Sequence, residues 1–565
     1  MHHHLSLRSK LIIMISVMAS LFLVALDQTI ISTALGKIVE DFDSFSSLTW
    51  VVTAYLITTT ITTPIAGKFS DLFGRRTMIL IGVTIFTLGS LLSGTSGNID
   101  QLIMWRALQG IGGGIITANA FTIVGDLFAA RERGKWQGLI GAVFGIASVI
   151  GPLLGGFLTE SHAILGLTTD WRWTFFINVP VGIAAFIVIA IFCPPLKHSK
   201  KPSVDYAGAA LLAVALATLV LAVDNTDKIF ADLLTSTGMN LTTLRVIMAA
   251  IVAASVAGFI AVERRSKEPI LRLEFFKNKN FLILTGIAMF VGAAMLGSIL
   301  YLTQFNQQVY GASPTQSGLM LLPMIGGLMV MSITTGQLVS KSGKYKRFMI
   351  AGAVATMLSM AALVTLTPTS SFIHEAIIMV FVGAGIGTLM PLMNIAIQNE
   401  FEQKDLGVAT SSNQLFRGLG STIGTAIFGS MLTLGITSSI GDMNNDAYVQ
   451  TLRKSPASSQ VITGDINDAN TLLQINMPTV KDKINDGFAK SLTNVAVPAP
   501  VKQKLASDFT KDQNAYSDKV VNAFTESIHH IFIVTSVIMF IALLLTLALK
   551  ERPLQAASPE ETPGE

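Results

Sequence analysis

Charge is what this sequence has least of. Of its 565 residues only 13% are Asp, Glu, Lys or Arg, while 51% are hydrophobic, against about 25% charged in an ordinary soluble domain. So few charges cannot coat a water-soluble surface. There is one cysteine, Cys193, which excludes an internal disulfide and a cysteine metal cluster. It lies at the end of an apolar run, before Pro194 and Pro195, and nothing around it suggests a special role. No GxxxxGK[ST] loop occurs, so ATP is not bound in the usual way. His374-Glu375 would open a zinc helix only with a second histidine at the position that Ile378 occupies. Without a paired nucleophile and base or a metal-ligand spacing, no catalytic residue, metal or cofactor is expected, and an enzyme is the weakest reading. The net charge of +4 is small and sorted along the chain, which does not favour a nucleic-acid partner.

What is abundant is apolar sequence in long pieces. Runs of roughly 20 apolar residues, the length that crosses about 30 Å of hydrocarbon, recur from Leu11 to Leu549. Fourteen spans are read near 11–35, 48–67, 77–95, 100–124, 136–158, 173–193, 206–224, 241–261, 281–303, 314–339, 348–367, 373–397, 406–435 and 526–548. The first is expected to be a retained helix, since it continues into a motif where a signal peptide would end. The inner tails and short loops then collect Lys68, Arg75 and Arg76, then Arg131, Arg133 and Lys135, then Lys197, Lys200 and Lys201, and later Lys341, Lys344, Lys346 and Arg347. The short outer loops hold Lys37, Arg172 and Lys228. The positive-inside rule therefore predicts both termini in the cytosol. Segment 437–525 falls outside, where long loops translocate whatever their charge. Its apolar residues, among them Leu472, Ile475, Phe488 and Val520, predict a small, partly helical cap.

Between the second and third spans the chain reads Gly67-Lys68-Phe69-Ser70-Asp71-Leu72-Phe73-Gly74-Arg75-Arg76. An acid at a helix end, a turn glycine and a basic pair suit a charged latch. Asp71 can cap a neighbouring helix N-terminus while Arg75 and Arg76 meet anionic headgroups. The plainer alternative is a short inner loop obeying the charge rule. A degenerate copy, Gly336-Gln337-Leu338-Val339-Ser340-Lys341-Ser342-Gly343-Lys344, follows the tenth span. A loop repeated eight spans later implies two related six-helix halves separated by two extra helices. The expected organisation is a cytosolic tail 1–10, a first half 11–193, a linker 194–279 with two extra spans, a second half 280–548 that contains the outer loop 437–525, and a cytosolic tail 549–565.

The latch resembles the loop signature of the major facilitator superfamily. Further motifs resemble its fourteen-helix drug:proton antiporter branch, the group around QacA and EmrB. Leu26-Asp27-Gln28-Thr29-Ile30-Ile31-Ser32-Thr33-Ala34-Leu35 in the first span is similar to the branch's LDxTIVNVAL, with Ser32 for the usual Asn. Arg106-Ala107-Leu108-Gln109-Gly110-Ile111-Gly112 matches RxxQGxG, and Trp171-Arg172-Trp173-Thr174-Phe175-Phe176-Ile177-Asn178-Val179-Pro180 resembles WRWxFxINxP. Gly151-Pro152-Leu153-Leu154-Gly155-Gly156, preceded by Gly138, looks like the antiporter motif of the fifth span, with Ala147 where a further glycine is usual. The likeness covers residues 11 to about 435 and the last span. It implies an all-α membrane fold of the major facilitator type.

Physics supports the same residues. Pro152 removes a helix donor, and Gly138, Gly151, Gly155 and Gly156 let backbones approach closely, as a rocking hinge requires; generic glycine packing is the alternative. Ionisable residues inside a membrane are costly, and Asp27, Arg106 and Arg417 lie well inside spans. Asp27 is about 12 Å and Arg106 about 9 Å below the outer ends of antiparallel helices at 1.5 Å per residue, so they can pair. Ser16, Ser20 and Asp27 share one face, and Arg106, Gln109, Gly113 and Thr117 another, which suggests a water-filled cavity between them. Asp27, Arg106 and Gln109 are thus candidates for proton or substrate coupling, with a permanent structural ion pair as the alternative for Asp27. Asn413 and Arg417, within Asn413-Gln414-Leu415-Phe416-Arg417-Gly418, are candidates for lining the pathway, although Arg417 could instead bond to carbonyls of a neighbouring helix.

The expected function is proton-coupled export of lipophilic, often cationic, drugs or other amphiphiles by alternating access. Met289, Phe290, Met295, Met324, Met390 and Met393 would supply adaptable walls, with plain core packing as their alternative. Expected partners are small substrates, protons and membrane lipids, for a monomer in a bacterial cytoplasmic membrane, with a periplasmic adaptor should the source have two membranes. A lipid or lysolipid translocase of the same fold is the runner-up, and a non-transporting sensor or scaffold ranks below it.

Overall fold

The computed structural model describes residues 6–42, 48–159, 163–164, 167–193, 205–223, 226–266, 268–454, 467, 469–494 and 498–554. The long helices in chain order are α1 (Leu7–Phe42), α2 (Leu48–Phe73), α3 (Arg75–Gly94), α4 (Ile99–Leu127), α5 (Arg133–Thr159), α6 (Trp173–Phe192) and α7 (Tyr206–Val223). They continue with α8 (Leu241–Glu263), α9 (Lys279–Gln308), α10 (Thr315–Ser342), α11 (Lys346–Leu363), α12 (Phe372–Gln398), α13 (Leu406–Ile440) and α14 (Ala499–Ala548). Among the described residues, 13 helices are long and apolar enough to cross a membrane. Helix α2 is not among these 13. Strand is confined to two residue pairs after α5, Ala163–Ile164 antiparallel to Leu167–Thr168.

Local chemistry sets the helix ends. Asn98 starts α4 by accepting from Gln101 N at 2.9 Å, and Ser313 and Gln316 form a reciprocal capping box ahead of α10. Gly74 and Gly343, each seven residues into its copy of the latch loop, take φ of 93° and 69°. That left-handed region is costly for a residue with a Cβ. The carboxylate of Glu551, beyond α14, caps α11 by accepting from Tyr345 N at 2.7 Å and Lys346 N at 2.9 Å.

The first six helices bury one set of apolar clusters and the last six another. Helices α7 and α8 pack on each other at the periphery, α7 also touching α2 and α13, and most of their surface stays exposed. Both chain ends lie on one face, where Lys10 sits over the Phe128 ring and Asn280 donates to the Lys550 carbonyl at 2.8 Å.

At 1.5 Å per residue, the 50 residues of α14 span about 75 Å, more than twice a bilayer's hydrocarbon. Its first half projects from the opposite face and gathers short helices Ala447–Lys454, Ala469–Asn476 and Pro478–Asn494 into a cap. The cap has its own apolar centre of Tyr448, Leu472, Phe488, Phe509 and Tyr516. Gln308 at the end of α9 holds it, donating to Leu473 O at 3.1 Å and accepting from Asn476 Nδ2 at 2.9 Å.

Candidate functional site

Asp27 lies in the middle of α1 and is fully buried. Its Oδ2 accepts from Arg106 Nη1 at 2.6 Å; Oδ1 accepts from Gln109 Nε2 at 2.8 Å and Asn178 Nδ2 at 3.3 Å. Arg106 Nη1 also donates to Gln109 Oε1 at 2.8 Å, and its guanidinium lies 4.3 Å from the centroid of Tyr55. Asn178 continues the chain to Ser90 Oγ at 3.0 Å, which donates to Phe175 O at 2.8 Å. Five helices, α1, α2, α3, α4 and α6, therefore meet at one carboxylate. A buried ion pair survives only if its remaining polar atoms are also satisfied, which the amides of Gln109 and Asn178 achieve. Asn178 stands inside a motif visible in the sequence, whereas Tyr55 and Ser90 come from helices whose spacing gives no signal. The polar face expected on α1 turns inward: Ser16 and Ser20 are buried and donate to their own helix, at Ile12 O and Ser16 O, both at 2.9 Å. A short hydroxyl satisfied by its own preceding turn does not need water.

On the termini face, Asp71 accepts from Val408 N at 3.1 Å, in the first turn of α13 across the interface between halves. Arg75 is fully buried, where headgroup contact was expected. It forms ion pairs with Asp71 and, through Nε at 2.7 Å, with Asp126 at the end of α4. Two carboxylates converging on a helix N-terminus need a cation between them, and this excludes Arg75 from the lipid surface. Arg76 Nη2 donates to the Ala190 carbonyl of α6. Asp126 is a member that sequence reasoning passed over; a lone acid at the end of an apolar span was its only signal.

The degenerate loop repeats the geometry. Ser340 stands four residues after Gly336, as Asp71 stands four after Gly67. Its hydroxyl accepts from Lys135 N at 3.2 Å, in the first turn of α5. Gly67 packs on Gly407 and Ser411 of α13, and Gly336 on Gly134 and Gly138 of α5. Each half thus caps one helix of the other, once with a charge and once without. Arg131 Nε adds a bond to Ser340 O at 2.9 Å, and Gln398 Nε2 reaches Phe121 O at 3.0 Å. The loop after α8 spans both halves: Glu268 pairs with buried Lys68 at 2.7 Å and Arg272 with Asp405 at 3.1 Å. Burial in this seam raises the Asp405 carboxyl above its usual range, against the pull of Arg272 and Lys404.

The glycines of α5 divide between two partners. Gly138 and Gly141 abut Ser332 and Gly145 abuts Met329, all on α10 of the other half; Ser332 Oγ also donates to Gly138 O at 3.0 Å. Gly151 instead meets Thr29 of α1, within its own half, and Gly156 has nothing closer than Thr315 at 3.7 Å. Gly155 accepts through its carbonyl from Thr159 Oγ1. The Pro152 side chain lies outside the described residues, while the backbone there is continuous helix. The close seam between halves is thus built by Gly138, Gly141 and Gly145, not by the Gly151–Gly156 end.

In the second half, Asn413 Nδ2 donates to Asn394 Oδ1 at 2.9 Å, tying α13 to α12. Arg417, one turn further along, is half-buried, with its guanidinium 6.0 Å from the centroid of Phe121 in the other half. No acid or carbonyl accepts from it among the described residues. Of the suggested pathway walls, Met324, Met390 and Met393 are core residues, and Met289, Phe290 and Met295 are half-buried.

Comparison with known proteins follows this geometry. The chain is 34% identical over 547 residues to the multidrug transporter protein MdtP of Bacillus subtilis, covering 96% of this chain and 93% of that protein. It is 33% identical over 500 residues to multidrug resistance protein 3 of the same organism, covering 88% and 93%. In solved structures, the fold matches the proton:xylose symporter XylE at TM-score 0.54, with 18% identity over 74% of this chain and 88% of that one. The human organic anion transporter MFSD10 matches at TM-score 0.55, with 14% identity over 74% and 93%. Residues 17–425 match the family model of the Major Facilitator Superfamily, and the chain is a multi-pass membrane protein belonging to that family of transporters.

Proposed function

We propose that this chain exports lipophilic small molecules, cationic ones among them, by alternating access and in exchange for protons. The pair of equivalent latches on the termini face supports the reading most. They join the halves through a few capping bonds and glycine contacts, a bistable seal that can open without unfolding either half. The names of its relatives, a multidrug transporter and a multidrug resistance protein, point the same way. One proton entering down about 100 mV and about one pH unit supplies about 3.7 kcal/mol, enough for a gradient of roughly 500-fold in a neutral solute. The coupling residues on this reading are Asp27, Arg106 and Gln109. Withdrawal of Arg106 in the other state would leave a buried carboxylate without its counter-charge, which then takes up a proton. The protein works as a monomer of two six-helix halves and two extra helices, in a bacterial cytoplasmic membrane with both termini in the cytosol.

Arg417 favours a second reading, because a half-buried cation with no acidic partner suits an anionic headgroup, as in a lipid translocase. Inverted vesicles distinguish the two. Ethidium accumulation that collapses when the pH gradient is dissipated supports efflux, whereas movement of labelled phospholipid without ethidium uptake replaces it with translocation.

A further inference from the structure

A cation crossing this protein needs a counter-charge, and Asp27 is already neutralised by Arg106. The other carboxylates buried in or at the ends of the long helices are also held. Asp71 and Asp126 are held by Arg75, and Glu263 by the N–H groups of Ile270 and Leu271. Glu375 is different. It sits three residues into α12, on the face opposite the termini, fully buried, and among the described residues no Lys or Arg pairs with it. The Tyr310 hydroxyl is its polar neighbour and brings it a hydrogen bond but no positive charge. His374, next in sequence, is engaged elsewhere, with Thr365 Oγ1 at 3.1 Å.

Tyr310 is also the wall of a groove of about 570 Å³, lined further by Leu319, Met320, Leu322, Pro323 and Phe372. Phe372 shares a helix face with Glu375, three residues on. Beside the groove the tenth span is interrupted at one residue, Leu321. Helix Pro314–Met320 ends at Leu321, and Leu322–Ser342 restarts with Pro323, which has no N–H to continue the ladder. On the other side, Gly311, at φ 67°, and a bond from Ala312 N to Asn306 O at 3.1 Å fold the chain back beyond α9. Broken membrane helices mark binding sites in transporters, and the volume falls within the roughly 300–1,000 Å³ of small-molecule pockets.

We propose that this groove binds lipophilic monocations, with Glu375 as counter-charge behind the Tyr310 ring. The apolar wall takes the hydrophobic body, Met320 adapts to its shape, and the Tyr310 and Phe372 faces attract positive charge. A buried carboxylate with no basic partner leaves room for one brought by the ligand. The site lies near the level where α12 begins, so a cation held there stands at the edge of the leaflet opposite the termini.

The inference rests on the efflux reading for the class of ligand, and the two can fail separately. Full-length protein in nanodiscs is titrated with tetraphenylphosphonium and with neutral triphenylphosphine oxide. Glu375→Gln should weaken the cation tenfold or more, about 1.4 kcal/mol, while leaving the neutral ligand within twofold. Tyr310→Ala should weaken both by removing the wall. Unchanged cation binding in Glu375→Gln, or equal loss of both ligands, overturns the site. If wild-type vesicles pump ethidium while Glu375→Gln binds the cation normally, the site alone fails. If cation binding depends on Glu375 in a protein that pumps nothing, the efflux reading alone fails.

Discussion

Neutralising Asp71 should open the termini face, and the structure sets how far. Its carboxylate accepts from Val408 N across the interface, at the positive end of the α13 dipole. An anion there is worth about 0.3–1 kcal/mol when exposed and up to about 2 kcal/mol when partly buried. Asp71 is buried, so Asp71→Asn, which keeps an acceptor but loses the charge, should cost the closed state about 1–2 kcal/mol. That is roughly a 5- to 30-fold change in the closed-to-open ratio. Arg75 keeps Asp126 as its partner, so the variant should still fold. Ser340→Ala removes the neutral counterpart, worth about 1 kcal/mol for a hydroxyl cap, and should shift the ratio about fivefold. The double variant should add within about 0.5 kcal/mol, since the two caps share no partner. With Cys193→Ser in place, spin labels on Phe73 and Glu402, both exposed and one in each half, would report separation of the halves by distance distribution. Unchanged distributions and unchanged turnover in the double variant would refute the latch and leave both loops as topological anchors.

Three paired comparisons probe the remaining elements. Gly138→Leu should abolish exchange by forcing α5 off Ser332, whereas Gly156→Leu, whose Cβ would meet only Thr315 at ordinary contact distance, should leave ethidium pumping within twofold; equal tolerance of both would remove the seam from the mechanism. Asp27→Asn leaves Arg106 buried without its anion, a loss of about 3–5 kcal/mol, and thermal unfolding followed by size-exclusion chromatography should register it. Asp27→Asn with Arg106→Gln should recover stability but not proton-driven efflux, and recovery of both would make the pair purely structural. Glu268→Gln strands Lys68, which is buried; it should destabilise the protein more than Lys68→Met combined with Glu268→Leu, and the reverse order in melting temperature would show the linker pair to be idle.

The parts legible in the sequence are those governed by one-dimensional rules. Apolar length placed the helices, including α2 with its threonines, because flanking loops bracket it. Helical rise alone put Asp27 and Arg106 at one depth, and the repeat Gly67/Gly336 pointed to two halves. What escaped depends on azimuth, which spacing within one helix cannot supply. Arg75 turns inward because Asp71 and Asp126 converge from two helices, and no single segment contains that fact. Ser16 and Ser20 share a helix face with Asp27 yet bond backward to their own backbone. The α5 glycines read as one hinge, although helical rotation carries Gly151 onto α1 and leaves Gly138 on α10. In sequence Glu375 reads only as a failed zinc motif; the signal available was an acid in an apolar span with no Lys or Arg nearby in sequence.

The two halves share a latch geometry but distribute charge differently, and the difference bears on mechanism. Where Asp71 binds α13 with a charge, Ser340 binds α5 with a hydroxyl, so only one of the two caps is charged. Within its helices the first half pairs Asp27 with Arg106 and Asp126 with Arg75, and it pairs Lys68 with Glu268 of the linker. The second half holds Arg417 and Glu375 unpaired. Paired charges can move a conformational equilibrium only by exchanging partners, which suits a switch driven by protons. Unpaired charges can be satisfied only by something that arrives from outside, which suits recognition. On this division, and on the proton coupling proposed above, the first half would convert the proton gradient into motion and the second would select the passenger. Arg417, facing Phe121 across the interface, would meet that passenger first, and Glu375, near the opposite face, would meet it last.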